Sequence, residues 1–380
     1  MKILIFSPYY PPHIGGLESH ADEFNKYLSQ KDSDIVVFTP RLPKESPEIK
    51  IKYNKVKIIR FPAFEIISNY PVPKFWKTEF WKLFFNLFNE DYDIVISRTR
   101  FFNTSLLAFI YAKIKKRVKW IHIEHGSDFV RLSSNFKTFI AKFYDYTLGW
   151  IIFKYSDKNI SISKAVQKFV YKFDKRESPI IYRGLETKEI DKIKPNQKIK
   201  NEYSNKTIIS FAGRLYEWKG VENSIKAIQL LPQIIKNNLI FLIIGDGEDY
   251  LKLEKLSKNE ASIKMLGKMS RKEVISILKV TDIYLHSAKP GGGLSTSLLE
   301  AMYCECAIIA TLNEGASEII KNEENGLLIN SSDSKLIAGK LEKLLCDRNK
   351  IKMLATNAKN DVQELFSWEK TISAYLNYLK

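Results

Sequence analysis

Hydrophobic positions along the chain form two series of short apolar runs, separated by polar and amphipathic stretches. In the first half, runs rich in β-branched and aromatic residues occur at 2–6, 35–39, 93–97, 119–123, 158–162 and 180–182. Short runs of this composition predict buried strands of a sheet. Between the first two, LESHADEFNKYL sets Leu17, Ala21, Phe24 and Leu28 on one helical face. The series restarts at 207–212, 239–244, 263–266, 282–286 and 307–311, alternating with helical stretches such as VENSIKAIQLL. Strand alternating with helix predicts α/β architecture with parallel pairing, here two doubly wound sheets. The expected layout is an N-terminal domain at 1–185, a polar linker at 186–206 and a C-terminal domain at 207–366. A final helix at 367–380, with Trp368, Ile372, Tyr375 and Leu379 on one face, is expected to close the N-terminal domain. Ligands of such sheets bind beyond the strand C-termini, so an interdomain cleft is the expected active site.

Composition narrows the class. At 380 residues, 45% hydrophobic and 27% charged, the chain reads as globular, which excludes disorder and disulfide scaffolds. Cys304, Cys306 and Cys346 form no zinc-ligand pattern and fit a reducing cytosol. The longest apolar run, 106–112, is far too short to span a bilayer, and the opening MKILIFSPYYPPHIGG reads as a strand rather than a signal peptide. Net charge is +17, unevenly divided as +12 over residues 1–190 and +5 over 191–380. Such a charge favours anionic partners: nucleic acid, an anionic membrane or phosphorylated small molecules. No recognisable nucleic-acid module accompanies it, so nucleic acid is not the expected partner.

Three segments carry the candidate chemistry. The first strand leads into a loop ending in Gly15 and Gly16 before a helix, where backbone can approach a phosphate. The turn AGRLYEWKG at 212–220 follows a strand and holds Arg214 and Lys219, a planar fork and a point charge suited to neutralising a departing diphosphate. The stretch KPGGGLSTSLLEAM at 289–302 runs from a strand end into a helix, so the N–H groups of Gly293, Leu294 and Ser295 form an anion cradle. Glu300 in that helix can accept ribose hydroxyls, or close a capping box with Ser297.

Together with HGSD at 125–128, SISKAV at 161–166, IIGDGE at 243–248, ENGLLI at 324–329 and FSWEK at 366–370, these motifs resemble the retaining glycosyltransferases of family 4 over nearly the whole chain. The resemblance implies the GT-B fold, two Rossmann-like domains facing a cleft, and sugar transfer from a nucleotide-diphosphate sugar without metal or cofactor. It implies that Arg214 and Lys219 stabilise the leaving diphosphate, that Gly15 and Gly16 admit the same phosphates and that Glu300 binds ribose. It places His125 against the donor sugar, the backbone at Lys268 and Met269 against the base, and Asp246 with Gly247 along the same cleft, although GDG is also an ordinary turn. One departure stands out: the family pairs Glu300 with a second glutamate eight positions earlier, and this chain has Gly292. Lys289 or the glycine loop could take over sugar recognition, and a catalytically silent partner subunit is the alternative reading.

Residues 69–117 are dense in aromatics and lysines, with Trp76, Phe80, Trp81, Phe84, Phe85 and Phe88 at helical spacing. Such a face either packs in the core or lies in a membrane interface. Together with the basic first half it leads to an expected peripheral contact with an anionic membrane and a glycan or lipid-linked acceptor.

Overall fold

A computed structural model of the chain describes residues 1–13, 15–67, 70–130, 135–289, 294–313 and 315–380. The chain divides into two compact units, residues 1–184 with 368–380, and residues 185–367.

The first unit is built on strands β1 (Lys2–Phe6), β2 (Asp34–Pro40), β3 (Ile49–Lys52), β4 (Val56–Phe61), β5 (Ala63–Ile67), β6 (Tyr70–Pro73), β7 (Ile94–Arg98), β8 (Lys119–Glu124) and β9 (Lys158–Ser161). Seven of these form one sheet in the order β3-β4-β2-β1-β7-β8-β9, parallel throughout except where β3 runs antiparallel to β4; β5 and β6 pair as a separate hairpin. Strand order reverses between β1 and β7, so the ligand-binding crevice of this sheet lies beyond their C-terminal ends. Residues 180–182 form no strand; Ile180 makes one bridge to Ser161. The helix Gly16–Ser29 buries Ala21, Phe24 and Leu28 against the sheet. The closing helix Trp368–Leu379 buries Trp368, Ile372, Tyr375 and Leu379 in the same core. Trp368 fixes its start: Nε1 donates to Glu23 Oε2 at 3.1 Å, and Glu23 also pairs with Arg183 at 3.0 Å. A side chain at Gly184 would collide with Trp368, so glycine permits this approach.

The second unit repeats the plan with β10 (Thr207–Ala212), β11 (Leu239–Ile244), β12 (Ile263–Gly267), β13 (Ile283–His286), β14 (Ala307–Thr311) and β15 (Leu327–Ile329), in the all-parallel order β12-β11-β10-β13-β14-β15. Its reversal lies between β10 and β13. Residues 186–206, expected as a linker, instead carry helices Thr187–Lys192 and Gln197–Glu202 and cluster with the second unit. Buried Ile190 and Ile199 anchor them, and Tyr303 Oη donates to Asp191 at 2.9 Å. Ile190, Ile193, Ile199 and Tyr203, scattered through a lysine-rich stretch, are too weak a periodic signal to reveal this.

The aromatic segment divides its side chains. The helix Thr78–Asn86 and the turn after it bury Phe80, Phe84 and Leu87 in the core, while Trp76, Trp81 and Phe85 stay exposed.

Candidate functional site

In the first unit the reversal point gathers the loop after β1, the end of β7 and the end of β8. Gly16 opens the helix Gly16–Ser29, and no atom of the described residues lies within 4 Å of where its Cβ would be. The first-turn N–H groups of a helix are what an approaching anion meets. A Cβ on Gly15 would push into the Glu18 carboxylate, which holds His13 Nδ1 at 2.5 Å.

His125 follows β8 and is fixed from both sides. Its Nδ1 is 3.3 Å from Thr99 Oγ1. Its backbone N–H and that of Gly126 donate to Glu124 Oε1 at 3.0 and 2.6 Å. Glu124 is fully buried; burial would raise its pKa, but Arg100 and a hydrogen bond from His122 hold it down at about 2. Ionised Glu124 can only accept, so His122 Nε2 donates to it, while His122 Nδ1 lies 2.8 Å from Ser97 Oγ, which accepts from Trp120 Nε1. Gly126 is required here, since a Cβ would stand 2.7 Å from Arg100 Nη1. Thr99, at φ 61, takes a left-handed conformation that a β-branched residue seldom adopts, a form of strain concentrated at functional sites.

Behind His125 lies a buried cluster of Arg98 and His20. Arg98 is fully buried over the Phe24 ring at 4.6 Å, and Nη1 donates to His20 Nδ1 at 2.9 Å. Burial pushes Arg98 down to about 10 and, with the Arg98 charge, pushes His125 down to about 3 and His20 well below its ordinary value. Both imidazoles are therefore neutral at physiological pH. Arg98 Nε and Nη2, His20 Nε2 and His125 Nε2 are buried without a hydrogen-bond partner among the described residues.

In the second unit, Arg214 and Lys219 sit in the turn after β10, at the reversal point. Neither pairs with a carboxylate among the described residues, in contrast to Lys289, whose Nζ is 2.6 Å from Glu217 Oε1. Lys219 lies over the Trp218 ring at 4.3 Å, and burial together with the neighbouring Arg214 charge lowers it to about 8. At the end of β13, burial and Lys219 lower the His286 imidazole to about 3, so it stays neutral. Gly220, at φ 67, turns the chain into the helix Val221–Leu230, and a Cβ there would collide with the Ser287 carbonyl.

Asp246 is exposed and ties its own turn to the Arg214 loop. Its side chain accepts from Gly247 N at 2.8 Å and its carbonyl accepts from Leu215 N at 2.9 Å. Gly245 and Gly247, at φ 146 and 158, press against the Gly213 and Leu215 carbonyls, so the GDG turn braces the Arg214 loop.

The helix Thr296–Tyr303 begins after Ser295, whose side chain makes no capping bond. Ser297 is thus inside the helix and closes no capping box with Glu300; its Oγ lies 3.0 Å from Ser295 Oγ and 3.1 Å from Tyr284 Oη. Glu300 is buried and accepts from Arg271 Nε at 2.7 Å. Arg271 opens the helix Arg271–Leu278 behind a capping box formed by Ser270 and Glu273, two residues after Met269. The structure therefore joins Glu300 to the 268–271 turn. Leu294 is half-buried at the start of this segment, whereas Gly292 and Gly293 lie outside the described residues.

Sequence reasoning singled out neither Arg98, Glu124 and Arg100 nor the Arg271 partner of Glu300. The one local signal was a glutamate directly before HGSD at the end of an apolar strand.

Comparison with known proteins covers both units. The model of glycosyltransferase family 4 matches residues 14–189, and that of glycosyl transferases group 1 matches residues 192–361. An uncharacterized glycosyltransferase of Methanocaldococcus jannaschii is 47% identical over 381 residues, covering 99% of this chain and 97% of its own. The Campylobacter jejuni GalNAc-alpha-(1->4)-GalNAc-alpha-(1->3)-diNAcBac-PP-undecaprenol alpha-1,4-N-acetyl-D-galactosaminyltransferase is 27% identical over 80% of both chains. Among solved structures, Anabaena HepE in complex with UDP superposes with a TM-score of 0.77 at 18% identity, over 100% of this chain and 99% of the other.

Proposed function

Since the chain belongs to the glycosyl transferases group 1, family 4, and is a glycosyltransferase of GT-B fold, we propose that it moves a sugar from a nucleotide-diphosphate sugar to a glycan or lipid-linked acceptor, with retention at the anomeric carbon and without a metal ion. The observation that carries this reading is the pair Arg214 and Lys219, two coupled cations with no carboxylate partner among the described residues, at the reversal point of the second sheet. A diphosphate supplies the missing negative charge, and the N-terminus of the helix Thr296–Tyr303 adds its dipole. HepE in complex with UDP and with UDP-glucose lends support from the same fold, and the Campylobacter relative's printed acceptor is undecaprenol-linked.

In this mechanism the bond between the anomeric carbon and the diphosphate oxygen breaks as charge collects on the phosphate, and Arg214 and Lys219 stabilise that charge. The acceptor hydroxyl attacks from the side the leaving group vacates, and its proton passes to a leaving phosphate oxygen, so no protein nucleophile is needed. Neutral His125, held by Thr99 and the Glu124 clamp, stands against the donor sugar in this reading, with its Nε2 turned into the protein. Glu300, steadied by Arg271, accepts from the ribose.

Arg214→Ala and Lys219→Ala should each lower kcat/KM by about 100-fold or more, the scale of losing one preorganised group that meets developing charge, with thermal unfolding unchanged. Near-wild-type turnover in either variant contradicts the assignment. Proton NMR of the first-formed product reads the stereochemistry: the donor's anomeric configuration should persist.

A further inference from the structure

The helix Asn135–Tyr144 and the π-helical turn Asp145–Gly149 that continues it are turned inside out. Among their described side chains the buried positions are Ala141, Asp145 and Gly149, four residues apart and small or charged. Phe136, Phe139 and Phe143 are 72, 67 and 63% exposed, and Ile140 and Tyr146 stand exposed with them. An amphipathic helix in a soluble protein ordinarily buries its aromatics. Here an ion pair prevents it: Arg100 Nε and Nη2 grip Asp145 Oδ1 and Oδ2 at 2.9 and 3.0 Å, both side chains buried, and Arg100 also lies over the Phe169 ring at 4.1 Å. Rotating the phenylalanines inward would break that pair, which is costly in a dry interior.

Basic side chains are interleaved with this apolar face. Tyr146 stacks toward Phe129 and Phe173 at 5.5 and 5.4 Å, and the Lys142 and Lys172 ammonium groups lie over Phe129 at 5.1 and 5.8 Å. Beyond them, exposed Tyr171 carries Lys175 at 4.4 Å. Residues 135–177 hold nine Lys and Arg against four Asp and Glu, and two of the four, Asp145 and Asp174, are buried against arginines.

We propose that this face, Phe136, Phe139, Ile140, Phe143 and Tyr146 with Lys142, Lys172 and Lys175, is a docking surface for an anionic lipid bilayer, its aromatics at the acyl boundary and its lysines at the headgroups. Charge complementarity selects the occupant: a second copy would bring the same cations face to face, whereas an anionic surface attracts each of them. Attachment is interfacial, since no described helix is long and apolar enough to cross a membrane. The 76–88 segment exposes a shorter face: within the helix Thr78–Asn86 it consists of Trp81 and Phe85, and Trp76 stands before that helix begins. The inference rests on the lipid-linked acceptor reading only for its purpose; the surface itself is tested without any acceptor.

The test is co-sedimentation of the full chain with vesicles of equal parts phosphatidylglycerol and phosphatidylcholine at low salt. Alongside it, thermal unfolding and calorimetric binding of UDP, GDP and ADP check the fold and the donor site. Wild type should bind, and a Phe136→Ser, Phe139→Ser, Phe143→Ser variant should bind about ten-fold or more weakly with unchanged unfolding and nucleotide affinity. Lys142→Glu, Lys172→Glu, Lys175→Glu should lose binding similarly, and Trp76→Ser, Phe85→Ser should keep it. Absence of wild-type binding overturns the proposal, as does a phenylalanine variant that binds normally or dissociates a dimer while still binding vesicles. Loss of nucleotide binding in wild type would instead count against the transferase reading and leave the vesicle result standing.

Discussion

Lys219 and His125 owe their proposed roles to the charge state each environment enforces. Lys219 is lowered to about 8 by burial and Arg214, so in the free protein it loses its proton as pH rises through about 8. A bound diphosphate favours the charged form and opposes that loss. Donor KM is therefore expected to rise steeply above pH 8, and Lys219→Arg, whose charge persists, should move that limb to higher pH; a pH series of initial rates checks this. His125 behaves in the opposite sense at the acid end. With a folded value of about 3 against an ordinary 6.5, the unfolded chain takes up the proton first, so stability is full above about 6.5 and is lost as pH falls toward 3. Glu124, held at about 2, adds a loss that begins near 4.5. Thermal unfolding between pH 7 and 4 should accordingly show a falling midpoint, and His125→Gln should flatten its upper part.

At the scale of elements, the turn after β10 is held by the backbone of its neighbours rather than by its own side chains. Gly220 sits at a positive φ against Ser287, and the GDG turn abuts the Gly213 and Leu215 carbonyls. Gly220→Ala should destabilise the second unit and lower transfer together, because the Lys219 backbone moves with it; unchanged Tm and activity would show that the turn is not braced there. Likewise Arg100→Ala, which strands Glu124 and Asp145, should destabilise by about 3–5 kcal/mol, read by denaturant unfolding. These elements also mark what the residues disclose before folding. Most core strands are rich in β-branched and aromatic residues and stand out, as do Arg214 and Lys219 in AGRLYEWKG, whereas β4, interrupted by Lys57 and Arg60, and the three-residue β15 do not. β3 escapes notice because Ile49 and Ile51 alternate with lysines and face solvent on an edge, so burial leaves no pattern. The Glu124 clamp and the Arg271–Glu300 pair are likewise hidden, since their partners lie 24 and 29 residues away and meet only through the sheet order.

For the whole molecule, two copies of one topology divide the work. The first unit supplies a neutral histidine on a rigid buried network and the aromatic, basic surface; the second supplies unpaired cations and the Glu300 turn. The central claim is that the second unit binds a nucleoside diphosphate through Arg214 and Lys219. Calorimetric titration with UDP, GDP and ADP, on wild type and on Arg214→Ala and Lys219→Ala, tests it most directly. One of the three nucleotides should bind wild type, and at least ten-fold more weakly to each variant. Binding of none, or equal affinity in wild type and variants, would contradict the account.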